Sequence, residues 1–121
     1  MAGMVRRSFD DADETRPFED GKGRLDLLQT DGGAVGRAVF EPGWRWSEHV
    51  KPLVGTDSCQ AGHTGYMVSG RMRVVMDDGT AEDYGPGDFM QIAPGHDAWV
   101  VGDEPAVALD WTGFGDYAKA K

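Results

Sequence analysis

Polar and apolar residues alternate along this chain in short runs, and glycine and proline cut the runs at near-regular intervals. Period-two alternation over about four to eight residues between turn signals predicts half-buried strands. On that reading, strands cover residues 24–29, 33–40, 44–50, 64–68, 72–76, 80–84, 89–93, 98–101 and 106–112. Asp77-Asp78-Gly79 is a strong hairpin signal, because a tight hairpin turn needs positive φ and glycine adopts it without steric cost. Glu41-Pro42-Gly43, Ser69-Gly70, Gly85-Pro86-Gly87-Asp88 and Gly102-Asp103-Glu104-Pro105 mark further turns. Residues 51–62 hold Pro52, Gly55, Thr56, Asp57 and Ser58 and read as a loop. Residues 1–23 are polar and charged and read as an N-terminal arm or a loosely docked edge segment, with a short helical turn near residues 10–14 capped by Asp10. Residues 113–121 are expected to form one helical turn. No stretch predicts a long helix, so the fold class is all-β, a sandwich or barrel.

Composition narrows the possibilities. A chain of 121 residues makes one domain, here residues 24–121 behind the arm. The 18 glycines fit many short strands joined by tight turns. A formal net charge of −9 with no basic stripe argues against nucleic acid as a partner and disfavours an anionic membrane surface. The single cysteine, Cys59, rules out an intrachain disulfide and fits a reducing compartment. Residues 1–9 lack an apolar core of the kind a secretory signal needs, and no apolar run reaches transmembrane length, so a cytoplasmic location is expected.

The chemistry lies in the histidines. There are only three, His49, His63 and His96, each at a strand-associated position. Residues of one parity share a face of a strand. If the three faces line one interior, three imidazoles converge and leave open positions on a metal, where a closed structural site fills four. Imidazole suits several divalent transition metals, and Fe, Mn, Ni, Cu and Zn all remain open. Cys59 lies in the loop between two of these histidines and is a candidate fourth, soft ligand, or a small apolar residue packed under the loop. Arg45 and Met67 are candidates to line a pocket, and Asp97 beside His96 is a candidate to orient its imidazole. Trp44, Trp46 and Trp99 alternate against the histidines and are expected on the outer face, where they would favour a homodimer.

Taken together, these motifs resemble those of the cupins, the RmlC-like superfamily. Gly43 to His49 matches the opening Gly-x5-His of the first cupin motif, and Gly70-Arg71-Met72-Arg73-Val74 matches its close. Lys51 stands where the second histidine belongs, and His63 stands at the glutamate position, six residues before the glycine. Pro86-Gly87-Asp88-Phe89 matches the start of the second motif and His96 its histidine, while Val100 replaces its asparagine. The resemblance runs from about Gly33 to Trp111. It implies a double-stranded β-helix, a jelly-roll-like barrel of two antiparallel sheets with a site in its mouth.

The resemblance fixes no reaction, because one fold hosts many chemistries. One expectation is an enzyme that works on a small organic molecule through a three-histidine metal centre, as a dioxygenase or as an isomerase or lyase. Its ligands would be His49, His63 and His96, with Lys51 or Arg45 holding an acidic group. The alternative is a module that binds a small ligand or metal, or senses it, without turnover. A third is a structural partner with a closed barrel.

Overall fold

The computed structural model describes residues 3–31 and 33–111. These residues form nine strands: β1 (Glu14–Pro17), β2 (Gly23–Thr30), β3 (Gly33–Phe40), β4 (His63–Ser69), β5 (Met72–Met76), β6 (Ala81–Tyr84), β7 (Phe89–Ile92), β8 (His96–Val100) and β9 (Ala106–Asp110). Two four-residue helices, α1 (Trp46–His49) and α2 (Lys51–Val54), lie between β3 and β4. One sheet has the order β1-β2-β3-β9-β4-β7 and the other β6-β5-β8, with every pairing antiparallel. Two antiparallel sheets facing each other across one apolar core make the jelly-roll barrel.

Alternation sets the faces. His63, Gly65 and Met67 of β4 turn inward while Tyr66 and Val68 turn out. His96, Ala98 and Val100 of β8 are buried, with Asp97 and Trp99 less so. The inward set joins Leu25, Leu27, Phe40, Met72, Val74, Met90 and Ile92 in a single core. Phe18 and Phe40 stack with centroids 5.5 Å apart, and Trp44 lies 4.3 Å from Phe40, so one end of the core is aromatic. Gly65 sits where β4 and β9 approach so closely that a Cβ would lie 2.1 Å from the Leu109 carbonyl oxygen. A side chain there would push β9 off β4.

Three expectations need correction. Residues 44–50 are not a strand. Trp46, His49 and Val50 are all buried, at the i, i+3, i+4 spacing of one helical face, and that helical burial overrides the Trp44/Trp46 alternation. Consequently Trp44 and Trp46 are core residues, each 2% exposed, and do not form the outer aromatic face expected of them. Within residues 1–23, β1 docks as an edge strand on β2. The short turn in the arm is Phe9–Asp11, and its cap is Ser8, whose Oγ accepts from the Asp10 N–H, rather than Asp10. The helical turn expected over 113–121 lies outside the described residues. No described helix is long and apolar enough to cross a membrane.

Candidate metal centre

His63 opens β4 and His96 opens β8, and their rings meet across the barrel with centroids 5.3 Å apart. Cys59 is brought to them by backbone pairing. Its N–H donates to the His96 carbonyl over 2.7 Å, and its own carbonyl accepts from the Gly95 N–H over 2.6 Å. This isolated bridge pins an otherwise irregular loop against the start of β8. One ligand atom from each of Cys59, His63 and His96 lies within 4.8 Å of the others.

The two imidazoles are oriented from behind. His63 Nδ1 donates to Asp110 Oδ2 over 2.7 Å, so Nε2 is the nitrogen that faces Cys59 Sγ, at 3.7 Å. His96 Nδ1 donates to the Ala93 carbonyl over 2.9 Å, leaving Nε2 as its donor atom. Backbone carbonyl and carboxylate partners of this kind fix the tautomer and aim of metal-binding histidines. A zinc ion with Zn–S near 2.3 Å and Zn–N near 2.0 Å at a tetrahedral angle would hold sulfur and nitrogen about 3.5 Å apart. The observed 3.7 Å between Cys59 Sγ and His63 Nε2 meets that requirement. The donor set of one thiolate and two imidazoles therefore fits a divalent transition metal.

The charges at this point are coupled. Burial pushes the Cys59 thiol up, but hydrogen bonds from His63 and His96 outweigh it and bring the thiol down to about 6. Burial pulls His63 down, but Asp110, and then Cys59, outweigh it and raise the imidazole to about 9. Near neutral pH the pair is a thiolate beside an imidazolium, a state that gives up one proton when a cation binds.

The site opens on a cavity. Leu25, Phe40, Trp44, Trp46, Met90 and Ile92 are among its apolar walls, and His63, His96 and Asp110 form its polar end. The His63 and Asp110 side chains at that end keep 13% and 14% exposure.

Other expected site residues lie elsewhere. His49 sits on α1, and its Nδ1 accepts the Arg45 N–H over 2.9 Å, which closes the first turn of that helix. Its Nε2 faces Asp20, 4.0 Å away, and not the other two imidazoles. His49 thus lies outside the group that the structure brings together, which is Cys59, His63 and His96, because α1 carries its ring toward Asp20 instead. Arg45 lays its guanidinium over the ring of Trp99, 4.2 Å from its centroid, and does not line the cavity. Lys51 is half-exposed beside Asp57 and is also away from the cavity. Met67 is fully buried in the core. Asp97 does not orient His96. Its Oδ1 accepts from the Ser47 N–H, within the first turn of α1, and from the Ala98 N–H. Asp110 was missed by sequence reasoning, although Ala106, Ala108 and Asp110 share the inward parity of β9.

No protein-family model and no curated protein matches the chain. Solved structures do resemble it. An uncharacterized conserved protein with a double-stranded β-helix domain from Klebsiella pneumoniae is 20% identical, with 98% of this chain and 94% of that one covered and a TM-score of 0.59. The polyketide cyclase RemF from Streptomyces resistomycificus is 20% identical over 88% of this chain and 77% of that one, with a TM-score of 0.60. A cupin-like protein from Thermotoga maritima is 22% identical over 85% and 81%, with a TM-score of 0.55. At such identities the likeness speaks for the fold, and the strand order, the two sheets and these neighbours agree that the chain has the double-stranded β-helix fold of a small single-domain cupin.

Proposed function

We propose that this cupin binds a divalent transition metal through Cys59, His63 and His96 and uses it to act on a small organic molecule held in the adjoining cavity. The observation that carries this reading is the meeting of three donor atoms within 4.8 Å at the polar end of an apolar cavity. Thiolate and imidazole together favour zinc, copper or iron, and manganese, which prefers oxygen donors, suits the set least. A metal bound by three protein groups keeps an open position and supplies a Lewis acid that polarises a substrate oxygen.

The protein's own contribution is orientation. Asp110 keeps the proton of His63 on Nδ1, the Ala93 carbonyl does the same for His96, and the apolar walls exclude water. Isomerase or lyase chemistry on a carbonyl fits better than dioxygen chemistry. The familiar iron oxygenase set is two histidines and a carboxylate, whereas the carboxylate here, Asp110, is engaged with His63. An enzyme, the polyketide cyclase RemF, is among the proteins of similar fold, which supports catalysis over passive binding.

A second reading has a specific observation in its favour. Cys59 Sγ, His63 and Asp110 stand in sequence at 3.7 Å and 2.7 Å, the order of nucleophile, base and orienting acid. In that reading the thiolate attacks substrate directly. Metal analysis of untagged protein separates the two. One equivalent of zinc or iron that protects Cys59 from iodoacetamide supports the metal centre. A metal-free protein whose thiolate alkylates freely in the presence of excess zinc supports the nucleophile and ends the first reading.

A further inference from the structure

The two outer faces of the barrel differ. On the smaller sheet the outward side chains include paired charges: Arg73 binds Asp83 across β5 and β6, and Arg45 covers Trp99. On the larger sheet, among the described residues, the outward positions of the neighbouring strands β9, β4 and β7 carry no charge. They are Val107 and Leu109, then Thr64, Tyr66 and Val68, then Phe89 and Gln91. Charged residues make up 27% of the chain, so three adjacent strands without one outward charge depart from the rest of its surface.

Register makes this face continuous. Leu109, Tyr66 and Phe89 lie in one row across the three strands. Thr64 and Gln91 make the next row, and the Trp111 N–H donates to the Thr64 carbonyl at its end. Tyr66, Phe89 and Trp111 are 42%, 61% and 45% exposed. At about 200 Å² per aromatic side chain they alone show on the order of 300 Å², which reaches the size of the largest apolar patch on an ordinary monomer. Arg37, opposite Leu109, starts the polar rim, where it binds Asp10 and Asp26. On the other side β7 ends the sheet.

Charge and area indicate the occupant. The chain carries a formal net charge of −9, so two copies repel each other except where they meet through uncharged surface. This face is such a surface. A foreign partner is steered and selected by charge, and an uncharged face offers it neither. An anionic membrane calls for basic residues around the apolar surface, and the arginine at this rim already binds two carboxylates. A stable interface covers about 800 Å² on each partner, with an aromatic-rich apolar centre and a polar rim. The three aromatics with Val68, Val107 and Leu109 supply the centre, and Thr64, Gln91 and the Arg37 cluster supply the rim. Trp44 and Trp46, expected to make such a face, are core residues and take no part.

We infer that the outer face of β9, β4 and β7 is the interface of a two-fold symmetric homodimer, with Tyr66 and Phe89 of each copy near its centre. The same patch then serves both copies, so each substitution acts twice.

Sedimentation velocity of the intact chain tests this, and a dimer of the 13.1 kDa chain is expected at micromolar concentration. Phe89→Glu and Tyr66→Glu are each expected to raise the dissociation constant at least about 100-fold. Val101→Glu makes the same change at an exposed valine just after β8, in the other sheet, and is expected to leave the dimer intact. Hydroxyl-radical footprinting of the unmodified protein reads the face without any variant, with Tyr66, Phe89 and Trp111 shielded in the dimer. A chain that stays monomeric at every soluble concentration overturns the inference. If that monomer dimerises once cut after Trp111, residues 112–121 are the cover, and if it floats with acidic lipid vesicles, a membrane is. A folded Phe89→Glu/Tyr66→Glu protein that still dimerises overturns the inference too, as does a dimer lost equally in Val101→Glu, or one in which all three aromatics remain fully labelled.

Discussion

His49 and His63 make an instructive pair. Both imidazoles are largely buried, and both face a carboxylate, Asp20 for one and Asp110 for the other. They differ in what Nδ1 does. In His49 it accepts the Arg45 N–H and lies 3.2 Å from the Arg45 carbonyl, which ties the ring to the backbone at the start of its own helix. In His63 it donates to Asp110, which turns Nε2 toward the Cys59 sulfur. Burial and position in a motif are thus insufficient to make a ligand. The element that carries the ring, and the partner behind it, decide which nitrogen faces the site and where it points.

The largest expected effect separates the two regions outright. Cys59→Ala, His63→Ala and His96→Ala should each remove stoichiometric zinc, whereas His49→Ala should keep one zinc per chain, as measured by elemental analysis after dialysis. Loss of zinc in a folded His49→Ala protein would erase the contrast. Asp110→Asn comes next. The amide can still accept from His63 but lacks the charge, and outer partners of metal-bound histidines are worth about 10–100-fold in affinity. Competition against a zinc-chelating dye measures this, and an unchanged affinity would reduce Asp110 to a packing residue.

The pH behaviour sharpens the comparison further. In metal-free protein the ultraviolet thiolate signal of Cys59 should titrate near 6, and in His63→Ala the midpoint should move upward, because burial then acts with less opposition. Stability responds differently. The lowered Cys59 value contributes stability that is fully present above the ordinary thiol pKa and is lost as pH falls through about 6. The raised His63 value contributes stability that is fully present below the ordinary imidazole pKa and is lost as pH rises through about 9. Between these limits the two trends oppose, since folded and unfolded chains carry the same number of protons on the pair. Denaturation midpoints across that window should therefore stay nearly level in the wild type and slope in the single variants. A steep slope in the wild type would mean that the thiolate–imidazolium pair is not formed.

At the small end, His49→Ala should cost about 1 kcal/mol through the lost hydrogen bond from the Arg45 N–H. Lys51→Ala should change stability by no more than about 0.5 kcal/mol and leave zinc binding untouched. Chemical denaturation reads both, and a zinc defect in Lys51→Ala would bring that side chain back to the site.

Much of this was legible in the sequence. Apart from β1, the strands of both sheets follow from alternation and glycine turns, and the inward faces of His63 and His96 follow from strand parity alone. What was not legible has specific causes. Trp44 to Val50 carries two periods at once, and only tertiary burial chooses the helical one. Cys59 lies in irregular chain, so its place depends on a backbone bridge to His96 that no local pattern announces. Asp110 sits 47 residues from His63, and its meaning appears only when β9 pairs with β4 across the closely approached Gly65. Lys51 was placed by motif position and sits on α2 beside Asp57, and Arg45, in extended backbone just before α1, pairs with Trp99 and lays its guanidinium over that ring.

X-ray absorption at the zinc edge of the loaded protein addresses the sulfur-containing centre most directly. A single sulfur neighbour near 2.3 Å with nitrogen neighbours at about 2.0–2.1 Å, the sulfur vanishing in Cys59→Ser, is the expected spectrum. A shell of nitrogen and oxygen alone, unchanged by Cys59→Ser, would contradict it.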